Sequence, residues 1–197
     1  LPAILGSDAV GVISKLGRRV KRLRVGQYVW VNSMLYYNTD EFALRGQEGL
    51  SDSMAFQGMF TFNPNNIHLM DEYQGGVAQF IKAPSVSIAA LPDNFPLEYA
   101  VRLGYMGTAY HALKRAGVHY GSKVLINGAT GTVGTSAVLL SLAMGASKVV
   151  AVANNKDRLQ RIKQLNPAII EVLSLQDGDV AGKIKELTNG KGVESFI

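Results

Sequence analysis

The stretch 125-LINGATGTVG-134 holds three glycines within seven positions, directly after a short apolar run. Gly131 stands three residues before Gly134, and Ala129 stands five before it, which gives the pattern A-x-G-x-x-G. The preceding run KVLIN is typical of a strand, and Thr132–Met144 is typical of a helix of small and apolar residues. In this context the pattern predicts a dinucleotide-binding turn, because small residues let the backbone approach a pyrophosphate beside the free N–H groups of a helix start. A tight bend that binds nothing is the alternative.

Strand-like and helical patterns alternate from this stretch to the last residue. The strand-like runs after KVLIN are KVVAVA, IIEVLSL and GVESFI, and helical patterns separate them over Lys156–Leu165 and Val180–Leu187. Such alternation implies right-handed βαβ crossovers and a parallel sheet. The expected fold class is therefore α/β, with a parallel sheet and a linking helix over residues 97–197.

The first part of the chain has a different pattern, which predicts a β-rich domain over residues 1–96. Short runs rich in Val and Ile are broken by glycines up to about Val31, and GGVAQFIKAP and IAALPDNFP are strand-like as well. Residues 32–74 have no clear period and are rich in Asn, Met and aromatic residues. We interpret them as a lobe held by its own aromatic and methionine side chains; a subunit contact or a substrate lid is the alternative.

Composition limits the function classes. The 197 residues include no cysteine, which excludes disulfides and thiolate metal sites within this stretch. No run of eighteen apolar residues occurs and the start does not resemble a signal peptide, so we expect a cytoplasmic protein without a membrane partner. Six of the twenty basic residues lie within residues 15–24, but no aromatic residue is interleaved to stack on bases. Nucleic acid is therefore not an expected partner.

The strand after the glycine turn lacks the acid that would read an adenosine ribose. An acid about twenty residues past the glycines would bind the 2′-hydroxyl of NAD, and that position falls at Ala153, or at Asn154 if the register shifts by one. No carboxylate repels a 2′-phosphate there, and Asn155, Lys156 and Arg158 can donate hydrogen bonds to one. Ordinary solvated side chains are the alternative for the two cations. We predict NADP as the cofactor, with NAD as the alternative.

Several motifs taken together resemble the medium-chain dehydrogenase/reductase superfamily. They are ILGSDAVGVISKLG, VGQYVWV, GGVAQFIKAP, LPDNF, GTAYHALKRAGV and VLINGATGTVG, and they follow the superfamily's order across nearly the whole chain apart from residues 32–74. The resemblance implies a GroES-like, β-rich catalytic domain over residues 1–96. Over residues 97–197 it implies a Rossmann domain with a doubly wound parallel sheet and its linking helix, and both domains are partial. It also implies an incomplete chain, a small-molecule substrate and a homodimer for the full-length protein.

The resemblance points to a metal site whose usual ligands are replaced here. Zinc-dependent members use a Cys from an earlier segment, a Gly-His-Glu segment and a Cys before a Thr-containing helix. The His position is Ser7, the Glu position is Asp8, and the second Cys position, counted back from Thr108, is Gly104. Because catalytic zinc needs three protein ligands, we expect no zinc. Residues 32–74 keep the length of the structural-zinc lobe without its cysteines, whereas zinc-free quinone reductases have a much shorter loop, so neither subgroup fits fully.

The expected loss of zinc leads to a predicted reaction type. Without a Lewis acid, carbonyl reduction loses its main electrophile. Hydride addition to a conjugated enone or quinone is less demanding, because a hydroxyl or backbone N–H can meet the oxygen that becomes charged. The predicted activity is therefore NADP(H)-dependent, zinc-independent reduction of an enone or quinone. The alternatives are an alcohol or aldehyde dehydrogenase with an atypical or lost zinc site, and a protein that binds the cofactor without catalysis.

The candidate site residues follow from the resemblance and from the glycine turn. The catalytic candidates are Tyr105, Ser7 and Asp8. Thr108 matches the superfamily Thr near the nicotinamide. The other cofactor-binding candidates are Gly128, Ala129, Thr130, Gly131, Thr132, Val133, Gly134, Ala153, Asn154, Asn155, Lys156 and Arg158.

Overall fold

The computed structural model describes residues 3–37 and 39–197. The chain divides into two compact units, Leu1–Gly104 and Tyr105–Ile197. The sequence predicts a boundary after residue 96, which is eight residues before the boundary in the structure. The short helix Leu97–Ala100 still belongs to the first unit. Along the described ranges, no helix combines the length and the apolarity that a membrane span requires.

The first unit is built from short strands and short helices. In chain order they are β1 (Ala9–Val12), β2 (Tyr28–Val31), β3 (Met34–Leu35), α1 (Glu41–Leu44), β4 (Ala55–Phe56), β5 (Phe60–Thr61), α2 (Ile67–Glu72), β6 (Ile88–Ala90), α3 (Leu97–Ala100) and the start of α4 (Leu103–Arg115). The helical pattern that begins at Leu97 is therefore split into two helices, and the second of them crosses the unit boundary.

An antiparallel sheet of order β1-β2-β6 carries most of the first unit's regular pairing. The central strand β2 is shielded from solvent on both faces. Val29 and Val31 are buried on one face, and Trp30 is half-buried on the other. The strand-like run GGVAQFIKAP forms no strand over residues 75–84, so that prediction is wrong. The backbone N–H groups of its first three residues instead donate to the carbonyl groups of residues 4–6, outside any regular ladder.

Residues 32–74 form a small lobe. Its sheet has the order β3-β4-β5, and its buried cluster consists of Leu35, Ala55 and Leu69 with Met70 and Tyr73 packed against it. The phenylalanines of β5 and its neighbourhood pack on one another at the surface instead of forming this core. The predicted aromatic core is thus only partly correct, because two-residue strands offer few inward-facing positions. A role as a subunit contact or lid stays a prediction.

The second unit alternates strands and helices as the sequence predicts. After α4 come β7 (Lys123–Asn127), α5 (Thr132–Ala143), β8 (Lys148–Ala153), α6 (Lys156–Leu165), β9 (Ile170–Ser174), a 3-10 turn (Leu175–Asp177), α7 (Val180–Leu187) and β10 (Ser195–Phe196). All described pairs of this sheet are parallel, and its order is β10-β7-β8-β9. The chain therefore moves from β7 through β8 to β9 in one direction and returns to β10 on the other side of β7. That reversal makes the carboxyl end of β7 the topological switch point, where doubly wound sheets bind their ligands.

Candidate functional site

The glycine turn lies at this switch point. After β7 the chain turns at Gly128, whose φ of +66° is a left-handed conformation that glycine adopts without strain. Gly131 is the N-cap of α5 and has extended backbone angles, but no side chain caps the helix. The N–H of Gly131 donates to the Gly128 carbonyl at 2.9 Å, and the N–H of Ala129 donates to the Val152 carbonyl at 3.0 Å. The turn is thus fixed to β8 while the first N–H groups of α5 remain open to a ligand.

Close packing beneath the turn explains its last glycine. A Cβ at Gly134 would lie 2.8 Å from the Ala129 Cα and closer still to the Gly128 carbonyl oxygen, so this position accepts no side chain. A Cβ at Gly131 would lie 3.3 Å from the same oxygen, which is tight. The Thr135 hydroxyl donates to the Ala129 carbonyl at 3.0 Å and secures the helix against the turn. A bare helix start behind small residues fits a dinucleotide pyrophosphate, as the sequence pattern predicts.

The carboxyl end of β8 lies next to this turn, and its last residue is Ala153. Ala153 is buried, and Asn154, which follows it, is exposed. Asn155 is the N-cap of α6, and its side-chain oxygen accepts from the N–H of Arg158 at 2.9 Å. The Arg158 guanidinium has no hydrogen-bond or ion-pair partner among the described residues and is exposed. Arg158 is therefore available to an anionic ligand, while Asn155 has a structural role in the helix start.

Lys156 has a partner that the sequence pattern does not reveal. Its ammonium lies 2.6 Å from a carboxylate oxygen of Asp177, in the 3-10 turn after β9. The hydrogen bond from Lys156 lowers the pKa of Asp177 below its ordinary value. Both side chains are substantially exposed, so the pair contributes little to stability. The ends of the parallel strands thus bring the acid of the turn after β9 beside Lys156, and the role of Lys156 in binding a phosphate stays a prediction.

The positions that correspond to two metal ligands lie together in the first unit. A Cβ at Gly104 would lie 3.6 Å from Asp8 Oδ1 and 3.6 Å from Trp30 Cζ2. Ser7 precedes Asp8 and is half-buried, whereas Asp8 is exposed. Trp30 was not identified from the sequence, although its alternation with the buried valines of β2 places it on this face. Asp8 thus lies beside the space that the missing side chain of Gly104 leaves.

This set of residues does not fit a catalytic zinc ion. Gly104 offers no side-chain donor atom, and the Ser7 hydroxyl replaces an imidazole. Within residues 3–37 and 39–197, no group of three or more His, Cys, Asp or Glu side chains could hold a metal ion. Catalytic zinc sites use three protein ligands, and Asp8 alone supplies one at this position.

Tyr105 and Thr108 lie one helical turn apart on α4, in the first residues of the second unit. Tyr105 is half-buried and Thr108 is exposed. Residues at this spacing share a face of the helix. Their roles remain predictions.

Comparison with known proteins relates most of the chain to dehydrogenases. A family model described as the alcohol dehydrogenase GroES-like domain matches residues 1–93. Sorbitol dehydrogenase of Macaca fascicularis is 30% identical over 191 residues, which cover 96% of this chain and 50% of that protein. "Probable D-xylulose reductase A" of Aspergillus fumigatus is 32% identical over 198 residues, which cover 100% of this chain and 52% of that protein. The chain spans about half the length of the curated relatives it matches.

Solved structures of dehydrogenases share the fold. An NAD-dependent alcohol dehydrogenase superposes with a TM-score of 0.84 and 27% identity, over 98% of this chain and 52% of that one. The alcohol dehydrogenase TADH from Thermus sp. ATN1 gives a TM-score of 0.83 and 26% identity, over 97% of this chain and 53% of that one. The matching GroES-like domain, the sequence relatives and the shared fold show that this chain belongs to the medium-chain dehydrogenase/reductase superfamily.

Proposed function

We propose that the protein containing this chain is a nicotinamide-dependent oxidoreductase that interconverts an alcohol of the polyol type and its carbonyl compound. The observation that carries the proposal is the uncapped glycine turn at the switch point of the parallel sheet. Similarity to sorbitol dehydrogenases over nearly the whole chain supports alcohol chemistry. It supports this alternative better than the enone or quinone reduction that the sequence motifs favoured.

The residues of the second unit bind and orient the cofactor in this proposal. Backbone N–H groups at the start of α5 hold the pyrophosphate, since the N-cap residue Gly131 has no side chain to cap them. Gly131 adds no side chain at the N-cap of α5, and Gly134 lets α5 pack closely against the turn. The nicotinamide cofactor, when bound, supplies or accepts the hydride, and the protein provides orientation and polarity.

We infer a preference for NADP over NAD from the end of β8. No carboxylate occupies residue 153 or 154, where an acid would bind the ribose 2′-hydroxyl and repel a 2′-phosphate. Arg158 is the stronger candidate for binding that phosphate, because Lys156 is engaged by Asp177. The nearby Asp177 carboxylate is kept paired by the same contact, which reduces its repulsion of an anion.

Replacing Ala153 with Asp is expected to weaken NADPH binding at least roughly tenfold and to leave NADH binding comparatively unchanged. An acid at this position of a dinucleotide-binding fold binds the ribose 2′-hydroxyl and repels a 2′-phosphate, and like charges in contact cost several kcal/mol. Fluorescence titration of wild type and variant with both cofactors measures the effect. Ala153→Asn has nearly the same shape without the charge and should retain the preference for NADPH. Tighter binding of NADH than NADPH by the wild-type protein would contradict the proposal.

The first unit supplies polar groups for the substrate in this proposal. Interconversion of an alcohol and a carbonyl compound needs a group that takes or returns the hydroxyl proton and donors that stabilise the oxygen. The Ser7 hydroxyl can donate to that oxygen, and the exposed Asp8 carboxylate can accept the proton. Gly104 keeps a further side chain away from the Asp8 carboxylate, since a Cβ there would lie 3.6 Å from Asp8 Oδ1. Tyr105 is the remaining catalytic candidate, with a hydroxyl that can donate.

Reduction of an enone or quinone is the second candidate function. The observation that favours it is the replacement of metal-ligand positions by Ser7 and Gly104, which leaves a hydroxyl and no three-ligand metal set among the described residues. Binding of the cofactor without catalysis is the third possibility, and a homodimeric assembly stays a prediction.

Turnover and metal content together test the proposed function. We expect NADP⁺ reduction with polyols, NADPH oxidation with the matching ketones, and far less than one zinc ion per chain by elemental analysis. Activity should survive chelator treatment, because the described residues lack a three-ligand zinc set. One tightly held zinc per subunit, with activity lost to a chelator, would contradict the zinc-independent mechanism. Turnover of a simple enone alone would favour the second candidate, and no turnover at all would indicate binding without catalysis.

A further inference from the structure

Gly6, the residue before Ser7 and Asp8, is held by two backbone hydrogen bonds. The N–H of Gly6 donates to the carbonyl of Gly58 at 3.0 Å, and the carbonyl of Gly6 accepts from the N–H of Gly76 at 2.8 Å. Gly6 has a φ of +106°, a conformation that side-chain-bearing residues rarely adopt. The direction in which the chain enters Ser7 and Asp8 therefore depends on Gly58 on one side and Gly76 on the other.

The contact between the lobe and this segment leaves no room for a side chain. Gly58 is buried, and a Cβ there would lie 2.5 Å from the Gly6 carbonyl oxygen and 2.5 Å from the Gly75 Cα. A Cβ at Gly75 would overlap the Leu5 carbonyl. All these neighbours are backbone atoms, so no rotation of a flexible side chain can relieve an added group. A side chain added at Gly58 would therefore have to displace the Gly6 carbonyl or the backbone at Gly75.

The residue before Gly58 fixes the other side of the same segment. Gln57 is 2% exposed, and its amide nitrogen donates to the carbonyls of Gln74 and Lys82, each at 2.8 Å. The backbone N–H of Gln57 donates to the Ser33 carbonyl at 2.7 Å, which fixes the turn to the lobe. Gln74 in turn accepts from the N–H of Ile4 at 2.8 Å through its side chain. Gln57 thus binds the backbone on either side of residues 75–77, which in turn bind the carbonyls of residues 4–6.

We propose that the turn Gln57–Gly58 is a positioning element of the active site, through which the lobe fixes the orientation of Ser7 and Asp8. This inference rests on the proposed function, in which Ser7 and Asp8 meet the substrate oxygen. It gives the lobe a role that needs no metal: its sheet carries the turn between β4 and β5, and the turn supports the Gly6 backbone. Gln57 and Gly58 act through Gly6 and do not touch the substrate.

The chain offers a matched pair of variants for the test. Gly58 and Gly46 have nearly the same left-handed conformation, with φ of +69° and +72°, but a Cβ at Gly46 meets no atom within 4 Å. Gly58→Ala and Gly46→Ala therefore share the cost of an alanine in that conformation, and only Gly58→Ala displaces the Gly6 carbonyl. We expect hydrogen exchange of the peptide covering residues 4–9 to accelerate at least roughly tenfold in Gly58→Ala and to stay unchanged in Gly46→Ala.

Turnover is the second readout for the pair. We expect kcat to fall roughly tenfold or more in Gly58→Ala, because misplacement by about 1 Å can cost a hundredfold, while Gly46→Ala stays within about twofold of wild type. Cofactor affinity should remain unchanged in both, since the glycine turn belongs to the other unit. Gln57→Met, which removes the two donated hydrogen bonds at similar volume, should reproduce the effect if Gly58→Ala does not fold.

The two readouts separate failure of this inference from failure of the proposed function. Unchanged exchange over residues 4–9 in both Gly58→Ala and Gln57→Met would overturn the inference, whatever the activity. Equal losses of kcat in Gly58→Ala and Gly46→Ala would also overturn it, because the loss would then follow from general destabilisation. A wild-type protein without oxidoreductase turnover would refute the proposed function, and the exchange experiment alone would then decide whether the turn fixes the segment.

Discussion

Gly134→Ala is expected to lower the free energy of unfolding of the second unit by about 3 kcal/mol or more, the largest stability effect we predict for this chain. The added methyl group would overlap the Gly128 carbonyl and lie 2.8 Å from the Ala129 Cα. Both neighbours are backbone atoms of a turn that is hydrogen-bonded to β8, so relief requires moving α5 away from the sheet. Overpacking of this kind typically costs about 1–3 kcal/mol and occasionally more, with little side-chain adjustment available here.

The control for this substitution is another helical glycine of the same unit. Gly107 lies within α4, and a Cβ there meets no atom within 4 Å. Gly107→Ala should be neutral or stabilising, because alanine favours a helix interior by roughly 1 kcal/mol over glycine. Thermal melts followed by circular dichroism should show a midpoint roughly 6 °C or more lower for Gly134→Ala alone, at roughly 2–4 °C per kcal/mol. Equal midpoints for the two variants would show that α5 can move at no cost.

Local patterns predicted the second unit closely. The strands β7 and β8 and the helices α6 and α7 begin and end where the sequence patterns do. Such elements are specified by neighbouring residues: apolar runs form the buried parallel strands, and polar N-caps and glycines mark the ends of the helices. The glycine turn was predictable for the same reason, because strand, turn and helix are consecutive in sequence.

Long-range contacts made the first unit harder to predict. The run GGVAQFIKAP has the composition of a strand, yet Gly75 and Gly76 bind the backbone of residues 4–6 from a distant part of the sequence. The support of Gly6 by Gly58 depends on missing side chains, which leave no periodic pattern. Hydrophobicity likewise does not show that β5 is too short to bury Phe60. The alternation in β2 predicts which face Trp30 occupies. It does not predict that Gly104 lies beside Trp30, because that contact joins distant parts of the sequence.

The same limit applies to charges at the cofactor site. Sequence identified Lys156 and Arg158 as equivalent candidates for binding a phosphate, because both follow β8. The register of β8 with β9 places Ala153 beside Ser174, and the turn that follows brings Asp177 to Lys156. The distinction between a paired and an available cation thus comes from strand pairing, not from local composition.

Gly131→Val is expected to abolish most dinucleotide affinity and to preserve the fold. Gly131 has φ of −81° and ψ of 169°, an extended conformation that valine adopts readily, and its Cβ would lie 3.3 Å from one carbonyl oxygen. The substitution therefore requires a shift of only a few tenths of an ångström within the turn. Its two methyl groups would occupy the approach to the open N–H groups of α5, where the pyrophosphate must bind.

Thermal melts with and without NADPH separate this effect from general destabilisation. A ligand that binds only the folded state raises its stability by RT ln(1 + [L]/Kd), about 2.7 kcal/mol at a hundredfold excess over Kd. Wild type should show that increase, and so should Gly11→Val, which adds the same side chain in the first unit where a Cβ meets no atom within 4 Å. Gly131→Val should melt near the unliganded wild type and gain almost nothing from NADPH. A full gain in Gly131→Val would place the cofactor elsewhere, because no pyrophosphate could reach the start of α5 past the valine methyl groups and keep its wild-type affinity.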